Sequence, residues 1–236
     1  VYYRQNNYTA ALNDYNAAIK NDPAYFLAYK NRATVQVALK NYTAADNDYT
    51  KCIELKPEDA DGYLGRGSMK SIQNNYAEAI SFYDKAIQYE PNNAVTFLNR
   101  GNAKYALKDT KGALPDYIKV SQLQPNNVNV YFNLGTIYMT QNKSNEAIEA
   151  FKKYNSGLPN EWSGYKNTAD VYYSQLKQYD QAEIYYNKAY QINKSQKDII
   201  ERLGYSLLNQ KKIPQAIAMF NNQIALLPND YWGYYN

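Results

Sequence analysis

The chain is 236 residues long, with 26 lysines and arginines against 22 aspartates and glutamates, a net charge of +4 and no histidine. Without histidine the commonest general base and metal ligand is missing, and the single cysteine, Cys52, can close no internal disulfide and build no thiolate metal site. The charge is too weak to argue for nucleic acid, no run of like charges exists, and no apolar stretch is long enough to span a bilayer.

From the start of the chain, Val1–Asn6 reads as the end of one helix and Tyr8–Ile19 as a second, closed by Pro23. The proline then returns. Pro23, Pro57, Pro91, Pro125 and Pro159 lie 34 residues apart, Lys194 follows after 35, and Pro228 after another 34. A fixed period of this length marks stacked repeats. Counted from the third residue after each proline, the units are 26–59, 60–93, 94–127, 128–161, 162–196 and 197–230, with a partial unit 1–25 before them and a stub 231–236 after. The unit Ala60–Asn93 shows the plan: two short amphipathic helices and a Pro-Asn-Asn connector. The chain opens midway through one helix and closes at the start of another, so it reads as a fragment of a longer array, one repeat domain spanning 1–236. The compartment stays open, cytoplasmic and periplasmic being equally allowed.

Particular columns keep one kind of residue. Position 8 is small (Ala33, Gly67, Gly101, Gly135, Ala169, Gly204), position 20 is alanine (Ala45, Ala79, Ala113, Ala147, Ala182, Ala216) and position 24 is aromatic (Tyr49, Tyr83, Tyr117, Phe151, Tyr186, Phe220). Position 4 is bulky, from Tyr29 to Ile200, and position 27 is usually small, as at Cys52, Ala86 and Ala189. Positions 4, 8 and 11 share one face of the first helix, and 20, 24 and 27 one face of the second. Small residues at 8 and 20 let two antiparallel helices approach closely. The ring at 24 fills the space beside them, and the proline at 32 stops the second helix. Most of the 28 tyrosines fall at positions 4, 17 and 24, so core packing accounts for them.

Departures from the plan carry their own expectations. Arg32, Arg66 and Arg100 stand at position 7, with Asp48 and Asp116 at position 23. A half-buried cation needs a partner, so structural ion pairs are predicted in preference to a phosphate-binding patch, with Phe82 breaking the aspartate column. Pro115, inside a second helix, should kink its first turn or delay its start. Tyr154 at a small position, and Gly157 ahead of Pro159, predict a helix that frays early. The extra residue of the fifth unit is placed in a loop within the polar stretch Ser174–Tyr179. The terminal faces, Val1-Tyr2-Tyr3 at one end and Ile217, Phe220 and Ile224 at the other, have no polar cap; partial exposure there predicts flanking sequence or end-to-end self-contact.

The bulky-4, small-8, Ala-20, aromatic-24, Pro-32 pattern resembles the tetratricopeptide repeat (TPR) family over nearly the whole chain. The resemblance implies an all-α fold, a right-handed α-solenoid of helix-turn-helix repeats, whose first helices line a groove with positions 2, 5, 6, 9, 12 and 13. Position 6 then offers Asn31, Asn99, Asn133 and Asn167, with Gly65 and Arg202 completing the column. Each amide is both donor and acceptor, and a row of them could hold the main chain of an extended peptide without reading its sequence. Positions 5 and 12 add Leu64, Leu98, Tyr105, Phe132, Met139 and Tyr173, apolar groups the fold does not need to bury. The implied role is a protein-interaction scaffold for a protein or peptide partner, with no cofactor, no nucleic acid, no membrane span and no catalysis. The alternative is a spacer or regulatory array within a larger enzyme or secretion-machinery protein. RNA reading would need a basic groove, whereas Lys30 and Lys166 are mixed with Asp61, Asp170, Asp198 and Glu201. Some family members clamp a terminal carboxylate with lysine at position 5 and asparagine at 9. Here Lys30 is followed by Thr34 and Lys166 by Asp170, so that capture is not expected.

Overall fold

The computed structural model describes residues 7–226. Among them are thirteen α-helices and no strand, grouped in two compact units that divide after Gln124. In the first unit, α1 (Tyr8–Asn21) precedes three hairpins: α2 (Phe26–Ala38) with α3 (Tyr42–Leu55), α4 (Ala60–Ile72) with α5 (Tyr76–Tyr89), and α6 (Ala94–Ala106) with α7 (Thr110–Leu123). The second unit holds α8 (Val128–Thr140) with α9 (Ser144–Gly157), α10 (Trp162–Asp170) with α11 (Tyr179–Ile192), and α12 (Lys197–Asn209) with α13 (Ile213–Leu226). Within each unit every helix packs on the next along the chain, the file of hairpins that defines the α-solenoid class. Val1-Tyr2-Tyr3, Pro228 and the stub 231–236 lie outside the described residues.

The connectors are held by local chemistry. A helix start leaves its first N–H groups without partners. Asp59 accepts from Asp61 N–H at 2.9 Å and Asn93 from Val95 N–H at 3.0 Å. The position-4 phenols do a second job: Tyr63 donates to the Pro57 carbonyl at 3.0 Å and Tyr131 to that of Pro125 at 3.2 Å. Between the helices of each hairpin one residue enters the left-handed region: Lys40, Asn74, Lys108, Asn142, Lys177 and Lys211, with φ between 55° and 63°. In five of these turns the next N–H reaches back five residues, as from Asn75 to Lys70 O at 2.9 Å. This 6→1 bond closes the helix end in a Schellman turn.

The sixth turn differs. Gln178 N–H reaches back six residues, to Tyr172 O at 2.9 Å, and α10 runs on into a π-helical turn, Val171–Leu176. The extra residue of the fifth unit is therefore absorbed within the first helix, ahead of the turn at Lys177, and not in a loop. A π-turn takes up one residue and leaves the helices on both sides in register. Two further expectations are corrected. With Pro115 inside it, α7 still starts at Thr110, the repeat position at which α5 starts at Tyr76, and keeps 14 residues. Pro115 is exposed, and it sits beyond the turn whose N–H groups set the helix start. The helix α9 does not fray early but runs 14 residues to Gly157. The Tyr154 ring is 8 % exposed and lies 5.0 Å from that of Phe132. Gly164, in α10, makes room for it: a Cβ there would fall 2.5 Å from Tyr154 Cδ1.

The core follows the columns. All six position-20 alanines, from Ala45 to Ala216, are fully buried, and the position-24 rings are at most 4 % exposed. A buried aromatic of this size removes about 150–250 Å² from water. The small residue at position 8 lets the ring in: at Gly135 a Cβ would lie 2.6 Å from the Phe151 ring. On α13, Phe220 is 3 % exposed, so it is not part of an uncovered face as expected; its ring packs edge-on against Tyr205 at 5.7 Å. Ile217 is 51 % exposed.

Candidate functional site

Within each unit, successive first helices meet at the same two junctions. In the first unit, Lys30 Nζ (position 5) is 2.6 Å from Asp61 Oδ2 (position 2 of the next hairpin). Asn99 Nδ2 (position 6) donates to Ser68 Oγ (position 9 of the hairpin before) at 3.4 Å. The second unit repeats the geometry: Lys166 Nζ is 3.2 Å from Asp198, and Arg202 Nε is 3.8 Å from Asp170 Oδ1. Positions 2, 5, 6 and 9 therefore share one wall, the face along which neighbouring first helices touch.

The asparagines of position 6 stand on this wall. Asn31 is exposed, while Asn99, Asn133 and Asn167 are half-buried. The side chains of Asn31, Asn133 and Asn167 make no hydrogen bond to the described residues. Gly65 interrupts the column for a steric reason, since a Cβ there would sit 2.2 Å from the Tyr49 ring.

The apolar groups are less free than their positions suggest. Tyr105 is 42 % exposed. Leu64 and Leu98 are half-buried, and Leu64 packs on the cluster of Ala79 and Tyr83. Phe132 and Met139 lean on the cluster of Ala147, Ile148 and Phe151, the two phenyl rings 5.9 Å apart. Tyr173, in the π-turn, meets Tyr179 edge-on at 5.3 Å, and its hydroxyl accepts from Asn209 Nδ2 at 3.3 Å. Most of these side chains serve the core on one side and the wall on the other.

The position-7 arginines are consumed by the fold. Arg32 is bidentate to Asp48 in its own hairpin, at 2.8 and 2.6 Å, and reaches Asn16 of the helix before at 2.7 Å. The Asp48 hydrogen bond, against burial, holds its guanidinium pKa above the ordinary value. Arg100 is bidentate to Asp116, reaches Asp84 at 2.7 Å, and shares Asp116 with Lys104. Where Phe82 replaces the aspartate, Arg66 turns to Asp46 of the preceding hairpin at 2.6 and 2.9 Å and stacks 4.7 Å above the Phe82 ring.

A half-buried charge centre in the second unit was not singled out from sequence. Asp170 Oδ1 accepts from the Tyr186 phenol at 2.5 Å, and its other oxygen lies 3.0 Å from Lys166 Nζ. Burial, then the charge of Asp170, pushes the Tyr186 phenol far above its ordinary pKa. The signal was present as Lys166 and Asp170 one helical turn apart.

Sequence models of tetratricopeptide repeats match residues 1–49, 60–93, 101–142 and 169–196. No curated protein matches the chain. Among solved structures, the C-terminal part of a TPR repeat-containing protein from Cytophaga hutchinsonii is similar at 19 % identity and a TM-score of 0.84, covering 99 % of this chain and 96 % of that one. YrrB, described as a TPR protein with an unusual peptide-binding site, is similar at 22 % identity and a TM-score of 0.70, over 84 % and 98 %. PilF of Pseudomonas aeruginosa is similar at 23 % identity and a TM-score of 0.67, over 91 % and 96 %. At these identities the likeness is one of fold.

Proposed function

The chain belongs to the tetratricopeptide repeat family, and on that footing we propose that it captures an extended segment of a partner protein along the first-helix wall of its units. Repeat proteins of this class act as interaction scaffolds, and no helix among the described residues is long and apolar enough to cross a membrane. The observation that carries the reading is the state of Asn133 and Asn167. Both amides are half-buried on the wall, open to solvent, and without a hydrogen-bond partner among the described residues. A half-buried amide that the fold leaves unused is a ready partner for a main-chain N–H and C=O. In the first unit Asn31, which is exposed, and Asn99, through what its bond to Ser68 leaves over, would add to this beside Leu64, Leu98 and Tyr105. Phe132, Met139 and Tyr173 would take apolar side chains in the second. The unusual peptide-binding site of YrrB supports the reading by showing that a fold of this kind takes peptides.

The test is selection of binders from a random dodecapeptide library, followed by calorimetry of one selected peptide. The double variant Asn133→Ala/Asn167→Ala should lose affinity by about tenfold or more, a loss of some 1.4 kcal/mol, with helicity unchanged. An unaltered affinity would remove the amides from the site. Phe132 is the wrong residue to mutate, because its ring also supports Phe151 and Tyr154.

A further inference from the structure

The geometry points to a receptor for one cationic side chain, a lysine or arginine of the captured segment, built between α10 with its π-turn and α12. This rests on the wall reading above and adds a side-chain preference to main-chain capture. A concavity of about 350 Å³ is lined by Tyr173, Asp198, Glu201, Arg202 and Tyr205. Its size is at the lower end of the range of about 300–1,000 Å³ typical of ligand pockets, enough for one long side chain.

The charges around it leave a negative remainder. Lys166 Nζ is held by Asp170 at 3.0 Å and Asp198 at 3.2 Å. Arg202 Nε points to Asp170 Oδ1 at 3.8 Å, and the Tyr186 hydroxyl donates to the same oxygen. Two cations thus stand against three carboxylates. The surplus is Glu201, half-buried on α12 one turn before Tyr205, with no ion-pair partner among the described residues. The cavity walls add two phenol rings, whose faces carry negative quadrupole density and attract cations. Both rings are held in place, Tyr173 against Tyr179 and Tyr205 against Phe220, at 5.3 and 5.7 Å. The π-turn contributes Tyr173 itself. An anion would have to approach Glu201 and Asp198 to reach Arg202, whose charge Asp170 already answers.

Four capped tripeptides serve as probes: acetyl-glycyl-X-glycine amide with X lysine, arginine, glutamate or norleucine, titrated into ¹⁵N-labelled protein. The lysine and arginine peptides should give saturable shifts at the amides of residues 198–205, at least about fivefold tighter than norleucine. Raising NaCl to about 0.5 M should weaken them. Glu201→Gln should reduce the lysine affinity by about threefold or more, and Glu201→Lys should reverse the preference toward glutamate. Equal or tighter binding of the glutamate peptide to the unmodified protein would overturn the proposal in favour of an anion site at Arg202. No shift at residues 198–205, or no effect of Glu201→Gln, would also overturn it. If the peptides shift the Asn133 and Asn167 side-chain amides with no preference for charge, the cation receptor fails and the wall stands. If the lysine peptide binds at residues 198–205 while a selected dodecapeptide ignores Asn133→Ala/Asn167→Ala, the wall fails and the receptor stands.

Discussion

Replacing Arg100 by methionine should destabilise the protein far more than the same change at Arg66, although both arginines occupy position 7 and both are bidentate. The difference lies in the acid. Asp116 is 2 % exposed at its side chain and accepts from Arg100 Nε at 3.0 Å, Arg100 Nη2 at 2.5 Å and Lys104 Nζ at 2.9 Å. Asp46, the partner of Arg66, is 30 % exposed and can be rehydrated where it stands. Breaking a buried pair strands a charge and costs about 3–5 kcal/mol, while a surface pair is worth about 0–1 kcal/mol. Lys104 stays behind to answer Asp116, which reduces the expected loss for Arg100→Met to about 2–4 kcal/mol. For Arg66→Met it is about 1 kcal/mol, including the stacking on Phe82. The triple variant Arg100→Met/Lys104→Met/Asp116→Leu removes the acid together with both of its cations and should regain at least about 1 kcal/mol over the single one. Urea denaturation followed by circular dichroism reads all four proteins. Equal losses at Arg66 and Arg100, or a triple variant less stable than Arg100→Met, would refute burial as the deciding quantity.

Two more outcomes follow from buried groups. Cys52 is fully buried, and burial, aided by the charge of Asp48, pushes its thiol from 9.0 up to about 12. Its folded pKa is raised, so the protonated form belongs to the native state and its contribution is lost as pH climbs from 9 toward 12, at about 1.4 kcal/mol per pH unit. A thiol reagent at pH 8 should leave Cys52 unmodified until the protein unfolds. Melting temperatures should fall from pH 9 upward, with Cys52→Ala flattening the first part of that fall. Asn155 is 5 % exposed, and neither polar atom of its amide has a hydrogen-bond partner among the described residues. Asn155→Val, nearer in volume than leucine and equal to asparagine in helix propensity, should raise stability by about 1 kcal/mol or more in a thermal melt; a lower melting point would mean the amide is satisfied by water.

What the sequence showed and what it hid divide along one physical line. Columns inside a hairpin keep their residue type, because the alanine at 20 and the ring at 24 solve the same packing problem each time. Tyr83 meets Gly67 as Phe151 meets Gly135, beside the fully buried Ala79 and Ala147. Columns between hairpins keep only their burial. Position 3 runs Ala28, Gly62, Thr96, Val130, Gly164, Ile199, and position 10 runs Val35, Met69, Ala103, Ile137, Val171, Ser206, all of them buried. Their identities vary because each is fitted to a particular neighbour: Gly62 to Ile53 and Cys52, Gly164 to Tyr154 and Asn155. Such pairs cannot be read from one column. The same limit affected the site. The asparagines of position 6 were legible as a series, but the burial of Phe132 depends on Tyr154, a residue that broke its own column. The ion pairs were legible as a correlation between Arg and Asp. Their partners were not, since Arg66 crosses to Asp46 only because Phe82 fills the other side.

The widened coil at Val171–Leu176 has a consequence for how such arrays drift over generations. A codon gained in a loop merely lengthens it. One gained in a helix would ordinarily swing everything downstream by about 100° and spoil the interlock with both neighbours. By dissolving the surplus in a single loosened loop of backbone, the chain confines the disturbance to Val171–Leu176 and the turn after it and hands α11 back in step. The surplus thereby falls beside Tyr173, a half-buried ring, where a change can be taken up without dismantling the masonry behind it.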